Sequence, residues 1–114
     1  VGYTLRMVVG LETMEQEIVQ RLKKLNPEKI ILFGSYAYGA PDEESDIDIC
    51  IIKTIPKSEA RLYTLQARKL LRDLVFKYQI GFDIITVPES FIQKRQDPFY
   101  SEDILTKGKV IYAE

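Results

Sequence analysis

Leu11, Met14, Ile18, Leu22 and Leu25 recur at the spacing of one helical face, and the pattern predicts a helix over 11–25. Thr13 followed three residues later by Gln16 has the capping-box arrangement, which makes Thr13 the expected N-cap. Asn26-Pro27 ends the helix, because the residue before a proline is driven out of the helical region. Lys29 to Phe33 is a short apolar run rich in β-branched residues and reads as a buried strand. Gly34-Ser35 and a polar turn at Pro41 to Ser45 follow. Asp46 to Ile52 then alternates carboxylates with isoleucines, the two-residue period of a strand. Ser58 to Tyr78 predicts the longest helix, with Leu62, Leu65, Ala67, Leu70, Leu71, Leu74, Val75 and Tyr78 as its apolar face. Arg61, Arg68, Lys69, Arg72 and Lys77 make much of the remainder basic. Gly81 breaks that pattern, and Phe82 to Val87 predicts a third strand. Pro88 and Glu89 are expected to open a short helix, and Ser101 to Lys107 another with Gly108 as its stop. Lys109 to Tyr112 closes the chain as an edge strand.

The first two strands are joined by too few residues for a helical crossover, so a doubly wound parallel sheet is excluded. The expected class is α/β of the α+β kind, a mixed β-sheet with helices packed on it. A length of 114 residues fits a single domain over 1–114. Residues 1–13 are expected to be partly disordered or foreign to the natural chain, whose start would be Met7 or Met14.

Composition removes several classes of chemistry. There is no histidine, which excludes Ser-His and Cys-His nucleophilic schemes and histidine-ligated zinc. A single cysteine, Cys50, forms no intrachain disulfide, reads as a small core hydrophobe and points to a reducing, cytoplasmic setting. No run approaches the ~18 apolar residues of a membrane span. A net charge of −1 carries no broad signal for nucleic acid.

The carboxylates are the informative set. Asp46 and Asp48, two apart on a strand, leave the same face with Cα atoms roughly 6.5–7 Å apart, while Ile47, Ile49 and Ile51 point to the opposite face. Asp83 is the natural third member if its strand neighbours the second. Two carboxylates ~4 Å apart repel by ~4 kcal/mol at an effective dielectric of 20. That is a large fraction of the ~5–15 kcal/mol that holds a small domain together, so a bound cation best explains the cluster. Oxygen-only donors suit Mg²⁺. Gly34 lets backbone approach a ligand closely, and Ser35, if it opens a helical turn, offers its amide and hydroxyl to a phosphate. Together these describe a site for a Mg²⁺-nucleoside triphosphate.

Gly34-Ser35, ten residues, then Asp46-Ile47-Asp48 gives GS-x10-DxD, with Ser45 completing an SDxD form. This resembles the minimal nucleotidyltransferases of the DNA polymerase beta superfamily, from about Lys29 through Tyr112. The resemblance implies that fold, with Asp46 and Asp48 holding two Mg²⁺ ions. It implies that Asp83 holds the catalytic ion and helps deprotonate an attacking hydroxyl. Gly34, Ser35 and Ser45 would serve nucleotide binding, with ATP or another nucleoside triphosphate as substrate. Many members carry arginines after the GS pair, where this chain has Tyr36 and Tyr38. Arg61, Arg68 or Lys69 of the long helix would then neutralise the triphosphate.

Larger members of the family add a C-terminal domain for the acceptor, so an acceptor surface here would come from a partner or a second copy. Stand-alone members resemble the antitoxin of HEPN/MNT toxin–antitoxin pairs. The implied activity is transfer of AMP from ATP to a hydroxyl, in particular a tyrosine of a HEPN toxin. The alternatives are a non-catalytic antitoxin that masks a partner ribonuclease, or nucleotidyl transfer to a small molecule, which the short chain disfavours.

Overall fold

The computed structural model describes residues 2–34, 46–88, 90, 104 and 107–114, with side chains described from Leu11 onward. Helix α1 spans Gly2–Leu22 and tightens into a 3₁₀ turn at Lys23–Leu25. Strand β1 is Lys29–Phe33, β2 is Ile47–Ile52, and helix α2 is Lys57–Tyr78. Strand β3 is Phe82–Val87 and β4 is Lys109–Ala113. The strands form one sheet in the order β3-β2-β1-β4. β1 pairs antiparallel with β2 and with β4, and β2 pairs parallel with β3. The sheet is therefore mixed, as the sequence led us to expect. The parallel pair is joined through α2, the crossover such a pair needs.

Two sequence expectations about the helices are corrected. Thr13 is not an N-cap, because α1 begins at Gly2 and Thr13 lies inside it. A capping pattern acts only where the chain enters from outside the helix. Here the preceding residues are already helical, and Gly10, at about 1 kcal/mol relative to alanine, does not stop them. The second correction concerns the buried face of α2, which is Tyr63, Ala67, Leu71 and Leu74, whereas Leu62 and Leu65 are 60% and 42% exposed. Tyr63 fixes this rotation: its hydroxyl donates to the Leu25 carbonyl at 3.0 Å while its ring is buried.

The helix ends match the sequence better. Asn26, before Pro27, is left-handed at φ 52° and closes the 3₁₀ turn by donating to the Lys23 carbonyl at 3.0 Å. α2 stops at Gln79, left-handed at φ 55°. Gly81 is thus not the residue that turns the chain. Among the described glycines the positive φ belongs to Gly34.

Both helices lie on one face of the sheet. Met14, Ile18 and Leu22 of α1 and the buried face of α2 pack with Ile30, Leu32, Ile47, Ile49, Ile51 and Ile84. The helices are clasped at the surface by Arg21 to Asp73 at 2.6 Å and Lys77 to Glu17 at 2.9 Å. The other face carries a smaller cluster of Ile31, Phe33, Cys50, Ile52 and Ile104. Cys50 is wholly buried there, and burial pushes its thiol up to about 12, so it serves as a core hydrophobe. The helices expected after Pro88 and over 101–107 lie outside the described residues, apart from Ser90, Ile104 and Lys107. Gly108 donates its amide to the Ile104 carbonyl at 3.1 Å.

Candidate active site

The second, parallel pair of strands settles where the carboxylates go. Register pairs Ile47 with Phe82, Asp48 with Asp83 and Ile49 with Ile84. Paired positions in a sheet share a face, and adjacent strands are roughly 4.8 Å apart. Asp48 and Asp83 therefore stand side by side on the face opposite the helices. On the other flank, β1 places Phe33 against Asp48. Asp46, one residue before β2, follows the same alternation and shares that face. The three aspartates singled out by the sequence are thus brought to one end of the sheet.

The site is acidic. No lysine or arginine among the described residues pairs with Asp46, Asp48 or Asp83. Asp48 is held above the usual carboxylate range, first by burial and then by the negative charges of Asp83 and Asp46. The carboxylates do not close into a cluster of three metal-holding groups among the described residues. The donor set nevertheless fits a hard divalent cation: oxygen only, with an excess of negative charge and without histidine or thiolate competition.

Glycines make room for these groups. Gly34 ends β1 at φ 76°, and a Cβ there would lie 2.0 Å from Asp48 Oδ2. Both the backbone conformation and the space exclude a side chain. Gly81 precedes β3, and a Cβ there would lie 2.7 Å from Asp46 Oδ1. Sequence reasoning took Gly81 only as a pattern break. The available signal was a glycine two residues before a strand carboxylate, at a point where the helix end did not need one.

Ser35 and Ser45, expected to serve the nucleotide, lie outside the described residues, as do Tyr36 and Tyr38. The basic residues of the long helix are placed where they do not face the carboxylates. α2 packs on the opposite face of the sheet. It also starts beside the far end of β2, so Arg61 lies about 25 Å along the helix axis from Tyr78, the end nearer the aspartates. Arg61, Arg68 and Lys69 are exposed on this far side, which corrects the expectation that one of them neutralises a triphosphate at the carboxylates.

Comparison with known proteins bears on the whole of this region. The family described as Nucleotidyltransferase domain matches residues 15–111. Two Methanocaldococcus jannaschii proteins named "Putative protein adenylyltransferase" are similar to the chain. One is 36% identical over 84 residues, covering 74% of this chain and 77% of that protein. The other is 39% identical over 89 residues, covering 73% of this chain and 56% of that protein. The chain thus spans little more than half of the second relative's length. Among solved structures, a toxin–antitoxin crystallised with AMP-PNP aligns at a TM-score of 0.57 and 22% identity, covering 88% of this chain and 73% of that one. A mutant of the toxin–antitoxin MntA-HpeT aligns at 0.56 and 18%, with the same coverage. At these identities the structural likeness speaks for the fold. Among the described residues, no helix is long and apolar enough to cross a membrane.

Proposed function

The chain belongs to the nucleotidyltransferase domain family, and we propose that it transfers AMP from ATP to a protein hydroxyl, with Asp46, Asp48 and Asp83 as the catalytic carboxylates. The observation that carries this is the cross-strand pair Asp48–Asp83 with Asp46 on the same side, on the face opposite α1 and α2. Asp46 and Asp48 would hold two Mg²⁺ ions and Asp83 the catalytic one of them. When bound, these ions supply Lewis-acid stabilisation of the attacking and leaving oxygens of an in-line displacement. The acceptor oxygen bonds to the α-phosphorus, the bond from that phosphorus to the bridging oxygen breaks, and pyrophosphate leaves. The hydroxyl proton passes to the Asp83 carboxylate. Gly34, by lacking a side chain, leaves Asp48 its place, and Ser35 and Ser45 would contact the nucleotide.

The acceptor we infer is a tyrosine of a HEPN-domain toxin, with this chain as antitoxin. The names of the two archaeal relatives support protein as acceptor, and the two toxin–antitoxin structures support a toxin as partner. The test is incubation with ATP labelled at the α-phosphate, Mg²⁺ and a HEPN partner. Label should appear on the partner with the wild-type chain and not with Asp48→Asn. Equal labelling by both proteins, or none by either, would reject the proposal.

One surface favours a second reading, in which the chain neutralises its partner by covering it. α2 exposes Leu62 at 60%, Leu65 at 42% and Phe76 at 71%. Beside them Arg61, Arg68, Lys69 and Arg72 have no ion-pair partner among the described residues. Under this reading Leu62→Ser/Phe76→Ser abolishes neutralisation while Asp46→Asn/Asp48→Asn retains it. The reverse pattern sinks it.

A further inference from the structure

Gly81 sits where register, carried one residue back from the Ile47–Phe82 pair, puts it opposite Asp46. The sheet thus has two successive cross-strand rows on the face opposite α1 and α2. One is Asp48–Asp83; the other is Asp46–Gly81. The geometry points to Gly81 as a positioning residue, whose missing side chain lets the Asp46 carboxylate lie over the start of β3, on the face that carries Asp48 and Asp83. This inference rests on the metal-site reading above and goes beyond it in naming a residue that the carboxylate motif does not contain.

Three observations support it. First, the glycine is not explained by backbone conformation. α2 already ends at the left-handed Gln79, and Gly81 is not at positive φ. An alanine could adopt the same backbone. Secondly, the space is taken. A Cβ on Gly81 would meet Asp46 Oδ1 at 2.7 Å, closer than non-bonded carbon and oxygen approach, and Cγ at a tight 3.3 Å. Thirdly, neither partner can move aside as a unit. The Gly81 carbonyl accepts a 2.9 Å hydrogen bond from the Ile47 amide, the residue next to Asp46, and so ties the two backbones together. The obstruction is the end of a flexible side chain and not backbone. A methyl group at 81 therefore leaves the fold intact and swings the Asp46 carboxylate away from its neighbours. Gly34 differs, because a residue there meets both positive φ and Asp48 Oδ2 at 2.0 Å.

The experiment is a double-mutant cycle on Mn²⁺ binding. The loss of the free-ion electron paramagnetic resonance signal is followed for the full chain, Gly81→Ala, Asp46→Asn and the combination. Thermal melting without metal is measured in parallel. The expected result is an about 10–100-fold weaker Mn²⁺ affinity for Gly81→Ala, with an unchanged melting temperature. In the Asp46→Asn background Gly81→Ala should add no further loss, since two changes acting through one group are not additive. Wild-type affinity in Gly81→Ala, or an equal loss in both backgrounds, overturns the inference and leaves the metal site standing. Absence of Mn²⁺ binding by the wild-type chain overturns the site reading itself. Should Gly81→Ala melt early, Asp46→Ala in the same chain removes the obstruction and should restore melting. Failure to restore it also overturns the inference.

Discussion

The two faces of β2 are built from alternate residues of one short strand, yet they answer to opposite physics. Ile47, Ile49 and Ile51 are each 0% exposed beneath α1 and α2. Asp46 and Asp48 leave the other side, where Asp48 stands opposite Asp83 across the parallel pair. The first face releases free energy by leaving water, roughly 25 cal/mol per Å² of apolar surface. The second gathers like charges that repel and, in Asp48, resist ionisation. Acidic groups gathered at one end of the sheet, with no basic ion-pair partner among the described residues, are what the proposed binding of a divalent cation would use. The isoleucine face supports the scaffold against which that strain is held.

The comparison breaks most visibly under paired substitutions. Asp48→Asn should lower AMP transfer by about 10²–10³-fold or more, the scale of losing one electrostatic stabiliser of a transition state. In the same protein, melting in the absence of metal should not fall, because a repulsive charge has been removed. Ile49→Ala should do the converse. Its cavity should cost about 2–5 kcal/mol in a denaturant titration, while the carboxylates stay in register in whatever fraction remains folded. If Asp48→Asn destabilised as much as Ile49→Ala, the division between the faces would be wrong.

Gly34→Ala joins the two faces and should cost about 1–2 kcal/mol for the left-handed backbone alone, read as a lower denaturation midpoint. It should also reduce nucleotide transfer, since the new Cβ would displace Asp48.

The smallest effect is in pH dependence, and its sign separates the site from the scaffold. Asp48 is raised, first by burial and then by Asp83 and Asp46. A carboxyl raised in the folded state binds its proton more tightly there than when unfolded. It therefore costs stability above its folded pKa, and that cost is relieved as pH falls through this value. Glu17 is lowered, chiefly by the Tyr78 hydroxyl and then by Lys77. Its contribution is present above the unfolded pKa and is lost as pH falls through the folded one. Metal-free melting from neutral pH downward should therefore lose its Asp48 component in Asp48→Asn and its Glu17 component, with the opposite slope, in Glu17→Gln. The same slope change in both variants would contradict the assignment.

Much of this was legible in the sequence, for reasons visible in particular residues. β1 over Lys29–Phe33 and β3 over Phe82–Val87 were read to the residue, and β2 to within one, because short β-branched runs bounded by turns have few alternatives. The alternation Asp46-Ile47-Asp48-Ile49 fixed which side chains share a face before any partner strand was known. Helix rotation was harder. Leu62 and Leu65 look as buried as Leu71 and Leu74 by composition, and only the tertiary anchor at Tyr63 chooses between them. The start of α1 was missed because a capping pattern is local, whereas helix entry depends on the residues before it. The side of the sheet taken by α2, which removes Arg61, Arg68 and Lys69 from the site, depends on the handedness and packing of the crossover and not on the helix's own sequence. Gly81 was invisible as a site residue because its contribution is an absence of atoms opposite Asp46.

The most direct measurement is a crystal structure of the chain soaked with Mn²⁺ and a non-hydrolysable ATP analogue, with anomalous data collected at the manganese edge. The expected result is manganese density between the carboxylates of Asp46 and Asp48, within reach of Asp83, and bridged to the phosphates. Manganese elsewhere on the molecule, with these three side chains turned to solvent and no metal between them, would contradict the account.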